Sequence, residues 1–302
     1  MRSYRIRAVI PLLGILLLGA ISACSPATTQ PAQPQQKVMY IGGIPDQDLS
    51  VLETRFKGIA DYLSRETGVK AQYIPTVDYA ALVTAFKQGD VQLAWFGGLT
   101  GVQARLVTPG AQAIVQRPQD EKFVSVFIAQ KSLGVKSLAD LKGKTLTFGS
   151  ESSTSGHLMP RYYIQQAGLV PEKDLKAVNY SGSHDTTIKL VEAGAFQAGA
   201  LNADVWQRNV RDGKVDTSKV DVFYTTPPYY DYHWVVRGDL DQKFGQGTAD
   251  KLKQAFLKLN ASQGETEKKI MDAFDAKNFI PTKNDNYKAI EDVARSLGIV
   301  QN

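Results

Sequence analysis

The sequence predicts an α/β protein of two lobes joined by a two-stranded hinge, with a ligand cleft between the lobes. Three observations predict it. Short β-type runs alternate with helical periodicity from residue 37 onward, which is the pattern of βαβ units. Two such series follow one another, separated by the apolar run 123–129 (FVSVFIA). A further pair of β-runs, 222–225 and 233–236, flanks Pro227-Pro228 and precedes a tail with helical patterns only. A chain that leaves one lobe through 123–129 and returns through 222–236 crosses twice, and paired crossings make a hinge.

The elements follow in order from the N-terminus. Arg2, Arg5 and Arg7 precede an apolar stretch at 9–21, too short for a membrane span of roughly 20 residues. A charged start, a short apolar run and small residues before a cut site describe a secretory signal. Ile21-Ser22-Ala23-Cys24 resembles the bacterial lipobox, in which the cysteine is lipidated and becomes the new N-terminus. The expected segments are a signal peptide at 1–23, then Cys24 and a Pro/Gln-rich tether at 24–36, whose composition cannot bury a core. Cys24 is the only cysteine, so an internal disulfide is impossible. Signal removal takes the three arginines from the 35 basic residues, leaving 32 against 30 acids. That near-balance removes the electrostatic footprint a nucleic-acid partner needs.

Lobe 1 is expected over 37–125, lobe 2 over 126–226, and the return of lobe 1 over 227–302. Residues 38–42 (VMYIG) read as a strand. Ser50 and Glu53 have the spacing of a capping box, and Leu52, Phe56, Ile59 and Leu63 then line one helix face. Gly68 closes that helix and 69–74 returns to strand. Asp78 caps a second helix through Phe86, ended by Gly89, before the apolar run 91–96. This order implies a parallel sheet covered by helices. In lobe 2, residues 137–144 form a short helix and turn, 145–148 and 198–201 are strands, and 158–167 and 186–192 are helices. Beyond 233–236 only helices are expected, marked by Leu252/Phe256/Leu259, Ile270/Phe274 and Tyr287/Ile290/Val293/Leu297.

The sharpest chemical signal is GSESSTSG at 149–156, after a strand and before a helix. Amides at a helix N-terminus are unpaired and bind anions, and the hydroxyls of Ser153, Thr154 and Ser155 add rotatable donors. The plain alternative is a capped Ser/Thr turn. A second helix start has Ser183 as N-cap and His184 in its first turn, where it can donate to an anion. Ser155, His184 and Asp204 supply the residue types of a hydrolase, but no G-x-S-x-G elbow exposes a nucleophile. No H-E-x-x-H, paired cysteines or P-loop is present, so no metal, nucleotide or other cofactor is expected.

Taken together, DYAALVTAFKQGDVQLAWFG, LTFG followed by STSG, SGSHDTT and PPYYDYHW resemble the phosphate/phosphite/phosphonate-binding family of periplasmic proteins. The resemblance implies a type II periplasmic-binding fold. It implies a monomeric binding protein of an ABC importer, lipid-anchored outside the cytoplasmic membrane and partnered by a permease and its ATPase. Carried over residue by residue, it makes Tyr79, Ser153, Thr154, Ser155 and His184 ligand contacts. It places cleft carboxylates at Asp204 and, with a one-residue gap, at Asp231. Phe123 and Phe96 stand where phosphonate binders have tyrosines. FGGLTGVQA and FGSESSTSG are also similar to a subgroup assigned to selenate import. An ionised carboxylate only accepts hydrogen bonds, so Asp204 or Asp231 at the ligand would demand an oxyanion that carries a proton or an amine. A ligand-sensing lipoprotein of the same fold would share all these features.

Overall fold

Hydrophobic spacing becomes two sheets in the computed structural model, which describes residues 37–301. The expected signal, Cys24 and tether lie outside the described residues. The first sheet begins with β1 (Met39–Gly43), α1 (Leu49–Thr67), β2 (Ala71–Tyr73), α2 (Tyr79–Gln88), β3 (Leu93–Phe96), α3 (Gly98–Val107) and β4 (Gln112–Gln116). Leu52, Phe56, Ile59 and Leu63 of α1 are buried as their spacing requires, and Gly68 ends the helix at φ 73°, a conformation glycine adopts without penalty. The Ser50 box does not form. Asp48 holds the N-cap position, its carboxylate turned 3.5 Å from Lys189, and Ser50 lies inside the first turn. Asp78 does cap α2, accepting from the Ala81 amide at 2.6 Å.

The second sheet is built by β5 (Ser125–Gln130), β6 (Thr145–Phe148), α4 (Met159–Gln166), α5 (Pro171–Asp174), β7 (Ala177–Tyr180), α6 (His184–Glu192), β8 (Ala198–Asn202), α7 (Ala203–Arg211) and β9 (Val220–Thr225). The chain then returns through β10 (His233–Val236), α8 (Leu240–Phe244), α9 (Thr248–Lys258), α10 (Glu265–Ala273), β11 (Ile280–Pro281) and α11 (Lys288–Ser296). β11 corrects the expectation of a purely helical tail, since it pairs with β4.

The strand orders are β11-β4-β10-β3-β1-β2 and β7-β6-β8-β5-β9. Neither sheet is purely parallel. β10 runs antiparallel to β3 and β4, and β5 antiparallel to β8 and β9. The reason is the crossing itself. Parallel strands such as β1, β3, β6 and β8 end at the cleft, whereas β5 and β10 begin there, so they run the other way. Near the crossing points Phe123 and Tyr229 form a two-residue antiparallel bridge, with amide–carbonyl bonds of 2.8 and 2.9 Å.

The first sheet's core is aromatic, with Phe56, Trp95, Trp234, Phe256 and Phe274 buried together. The second sheet carries a smaller apolar cluster on each face, one around Phe127 and Phe148 and one around Ile188 and Trp206. Leu158 and Met159 belong to the second lobe by sequence but pack into the first lobe's core.

Candidate functional site

Strand ends and helix starts deliver the side chains of the cleft. From the first lobe come Asp46 after β1, Tyr79 at the start of α2, the glycines after β3, and Asp231 and Tyr232 just before β10. From the second come the 149–158 turn after β6, His184 opening α6, and Asn202 at the end of β8.

The turn is closed by glycine. The Gly149 amide donates to the Gly156 carbonyl at 2.9 Å, and a Cβ on Gly156 would lie 3.0 Å from Gly149 Cα. Ser153 is the N-cap, its hydroxyl accepting from the Gly156 amide at 2.9 Å. The helix opens as a wide π turn over Thr154–Leu158, a distortion that recurs at functional sites. His157 braces it from behind. Its Nδ1 pairs with the Glu151 carbonyl at 2.6 Å and its Nε2 accepts from Arg161 Nε at 2.7 Å. Burial, reinforced by Arg161 and opposed by the Glu151 carbonyl, pushes its imidazole down to about 4, so it is a neutral strut.

Thr154 reaches across the cleft. Its Oγ1 accepts from the Leu99 amide at 2.9 Å, while Asp231 Oδ1 accepts from the Gly98 amide at 2.8 Å. The two therefore cap α3 together, one from each lobe. Gly97 makes room for them: an added Cβ would stand 3.1 Å from Thr154 Oγ1 and 3.2 Å from Asp231 Oδ1. Burial pushes the Asp231 carboxyl up to about 7, against the Gly98 amide and the Thr154 hydroxyl, which favour its ionised form. Ser155 is buried beside them.

Tyr79 is 1% exposed, and its hydroxyl has no hydrogen-bond partner. Burial, with Asp46 and Asp231 nearby, pushes it well above its ordinary value, against the opposing pull of the Ser153 hydroxyl, which lies close without completing a hydrogen bond. It is a fixed proton donor. Asp231 Oδ2 is equally buried and equally without a partner. A buried hydroxyl and a buried carboxylate oxygen, each without a hydrogen-bond partner, thus lie near enough for Asp231 to act on the Tyr79 hydroxyl. His184 is fully buried, its amide donating to the Asp46 carbonyl at 3.0 Å. Burial pushes its imidazole down, against the pull of Asp46 and Asp185.

Asp204 stands apart from this group. It sits in the first turn of α7 with Oδ2 3.5 Å from Arg117 Nη2, and it lines a surface groove with Gln119, Gln207 and Asp275. The guanidinium that it faces comes from the end of the first lobe's β4, a neighbour no local motif signals. Sequence reasoning missed Asp46, Tyr232, Asn202 and Gly97. The signals available were an aspartate three residues past a strand end, a tyrosine beside Asp231 and an N-cap asparagine.

A family profile described as ABC transporter, phosphonate, periplasmic substrate-binding protein matches residues 41–287. The chain is 45% identical over 280 residues to the probable ABC transporter phosphite binding protein PhnD1 of Prochlorococcus marinus strain MIT 9301, spanning 90% of this chain and 94% of that one. It is 24% identical over 251 residues to the phosphonates-binding periplasmic protein of Escherichia coli K12, spanning 80% of this chain and 71% of the relative. The solved structure of Prochlorococcus PhnD1 in complex with methylphosphonate aligns with a TM-score of 0.85 at 46% identity, over 88% of this chain and 100% of that one. A binding-protein component of an ABC phosphonate transporter from Pseudomonas aeruginosa aligns with a TM-score of 0.76 at 21% identity, over 85% of each chain, and shares the fold.

Proposed function

Because the chain belongs to the periplasmic substrate-binding proteins of ABC phosphonate transporters, we propose that it captures a phosphite- or phosphonate-class oxyanion carrying one proton and closes over it. It is a binding protein of an extracytoplasmic transport system and not an enzyme. The observation that carries the ligand reading is the pair of buried, unpartnered atoms, Tyr79 Oη and Asp231 Oδ2. A tetrahedral oxyanion with one P–OH satisfies both: an oxygen accepts from Tyr79 and the hydroxyl donates to Asp231. The amides at the start of the Thr154–Leu158 turn and the Ser155 hydroxyl suit the remaining oxygens. His184 adds a neutral donor. Thr154 acts as the clasp between lobes, because its hydroxyl is already engaged with the Leu99 amide of the other lobe.

Titration calorimetry tests this with phosphite, methylphosphonate, 2-aminoethylphosphonate, phosphate, selenite, selenate and sulfate at pH 6 and pH 8. Protonated oxyanions should bind, and fully ionised selenate and sulfate should fail at pH 8, where Asp231 is charged and can only accept. Equal binding of sulfate and methylphosphonate at pH 8 would sink the reading.

Asp231 also sets a pH dependence of stability. Its folded carboxyl is raised to about 7, above the roughly 4 of an unfolded aspartate. Between those values the folded chain holds a proton that the unfolded chain has lost, so this group's contribution to stability falls as pH rises through that window. Buried neutral His157, His184 and His233 act the other way in this range, so the expected result is a comparison: on going from pH 7.5 to pH 5.5 the ligand-free melting temperature of the wild type shifts upward relative to that of Asp231→Asn. An equal shift in the two proteins would remove Asp231 as a source of the pH dependence.

Cys24 is proposed as the membrane anchor through lipidation. Cys24→Ser should move the chain from the membrane fraction to the soluble fraction of cells; a variant that stays with the membrane refutes the anchor.

A further inference from the structure

Tyr232 lies on the crossing into β10, beside Asp231 in the PPYYDYHW segment, and has so far been given no role of its own. It is 3% exposed, with its ring stacked on Trp95 at a centroid distance of 5.6 Å and the Arg117 guanidinium 5.3 Å from the ring centre. Its hydroxyl meets groups from both lobes. It donates to Asp46 Oδ2 at 2.9 Å and accepts from Asn202 Nδ2 at 3.0 Å. The Asn202 amide cannot be turned round, because its Oδ1 caps α7 by accepting from the Val205 amide at 3.1 Å. Asp46 in turn is the buried counter-ion of Arg55, at 3.9 Å.

The directions of these bonds leave His184 little choice. With its proton committed to Asp46, Tyr232 Oη offers only a lone pair to its third neighbour, His184 Nε2, at 3.4 Å. On the other side of the ring the main-chain N of Asn202 lies 3.5 Å from Nδ1, its N–H directed there. A lone pair facing Nε2 and an N–H facing Nδ1 fit one protonation state: proton on Nε2, none on Nδ1.

We infer that Tyr232 is a positioning residue which, through the Asn202–Tyr232–Asp46 chain, locks His184 as a neutral Nε2–H donor in the closed cleft. The inference rests on the oxyanion reading, because the long Tyr232 contact leaves that proton available to a ligand oxygen. The charged groups facing the ring are Asp46 from the first lobe and Asp185 from its own helix. Both favour the imidazolium, and burial opposes it more strongly. Since the chain of bonds takes Asn202 from one lobe and Tyr232 and Asp46 from the other, it is complete only when the lobes meet.

The test is nitrogen NMR of the histidine ring in the full 15N-labelled chain from pH 5.5 to 8, with and without methylphosphonate, the His184 signals being assigned by their loss in His184→Gln. Calorimetry with methylphosphonate on the wild type and Tyr232→Phe runs alongside. A neutral, Nε2-protonated ring that does not titrate in the liganded wild type is the expected result. Tyr232→Phe should mix the ring's tautomers and weaken binding about tenfold, the loss of roughly one well-made hydrogen bond. A charged ring, or one protonated on Nδ1, overturns the inference even where Tyr232→Phe does not fold. A folded Tyr232→Phe with an unchanged ring and unchanged affinity overturns it as well. If the wild type binds no oxyanion, the functional reading fails, while the ring's tautomer still decides for or against the positioning role.

Discussion

Arg117→Met is expected to destabilise the folded chain by about 3–5 kcal/mol, the range for breaking a buried ion pair on one side. Arg117 grips Asp120 twice, Nη2 to Oδ1 at 2.6 Å and Nε to Oδ2 at 2.8 Å, and Asp120 is fully buried. Burial pushes the Asp120 carboxyl up to about 6 even beside the guanidinium, so an unpaired Asp120 would have to take up a proton to remain inside. The same guanidinium donates to the Phe274 carbonyl at 2.9 Å and lies over the Trp95 and Tyr232 rings. Three parts of the first lobe and the crossing strand therefore lose a common anchor. Urea denaturation measures the effect, and Asp120→Asn added to Arg117→Met should restore part of it by removing the stranded charge. A single variant within 1 kcal/mol of wild type would show that the pair contributes little, as exposed pairs do.

Gly97→Val should weaken oxyanion binding about ten- to hundredfold. The backbone of Gly97, at φ −77° and ψ 171°, is extended and accepts valine without strain. Space is the obstacle. Even a Cβ would stand 3.1 Å from Thr154 Oγ1 and 3.2 Å from Asp231 Oδ1, and two further methyls force those groups away from the start of α3. Overpacking of this kind is worth roughly 1–3 kcal/mol, and it falls on the start of α3, where Thr154 arrives from the second lobe and Asp231 from the first. Calorimetry and small-angle scattering read it as lost affinity and a more open molecule. Wild-type affinity in the variant would mean that Thr154 and Asp231 need not meet for capture.

Local chemistry was readable from the sequence and non-local chemistry was not. The 149–156 turn declared itself because its glycines, N-cap serine and hydroxyls lie within eight residues. Helices α1 and α2 were legible through apolar spacing and terminal glycines. Helix α3 was not, because Gly98, Thr100 and Gly101 lower its apparent propensity while the glycines permit its close packing. The sheets' mixed direction depends on where the chain crosses, which no strand's own residues record. Within the site, Thr154 was visible as a hydroxyl but not as one claimed by Leu99. Tyr232 acquires its meaning from Asp46, 186 residues away. Asp204 was legible as a carboxylate, yet the guanidinium it faces belongs to the other lobe.

Leu158 and Met159, 0% and 5% exposed, leave their own lobe to sit in the other's core, and this bears on how long a captured ion stays. Fully burying such a side chain is worth about 1.5–3 kcal/mol. Parting the lobes exposes both to water. Opening the cleft therefore carries the cost of wetting these two side chains, whichever ion it holds.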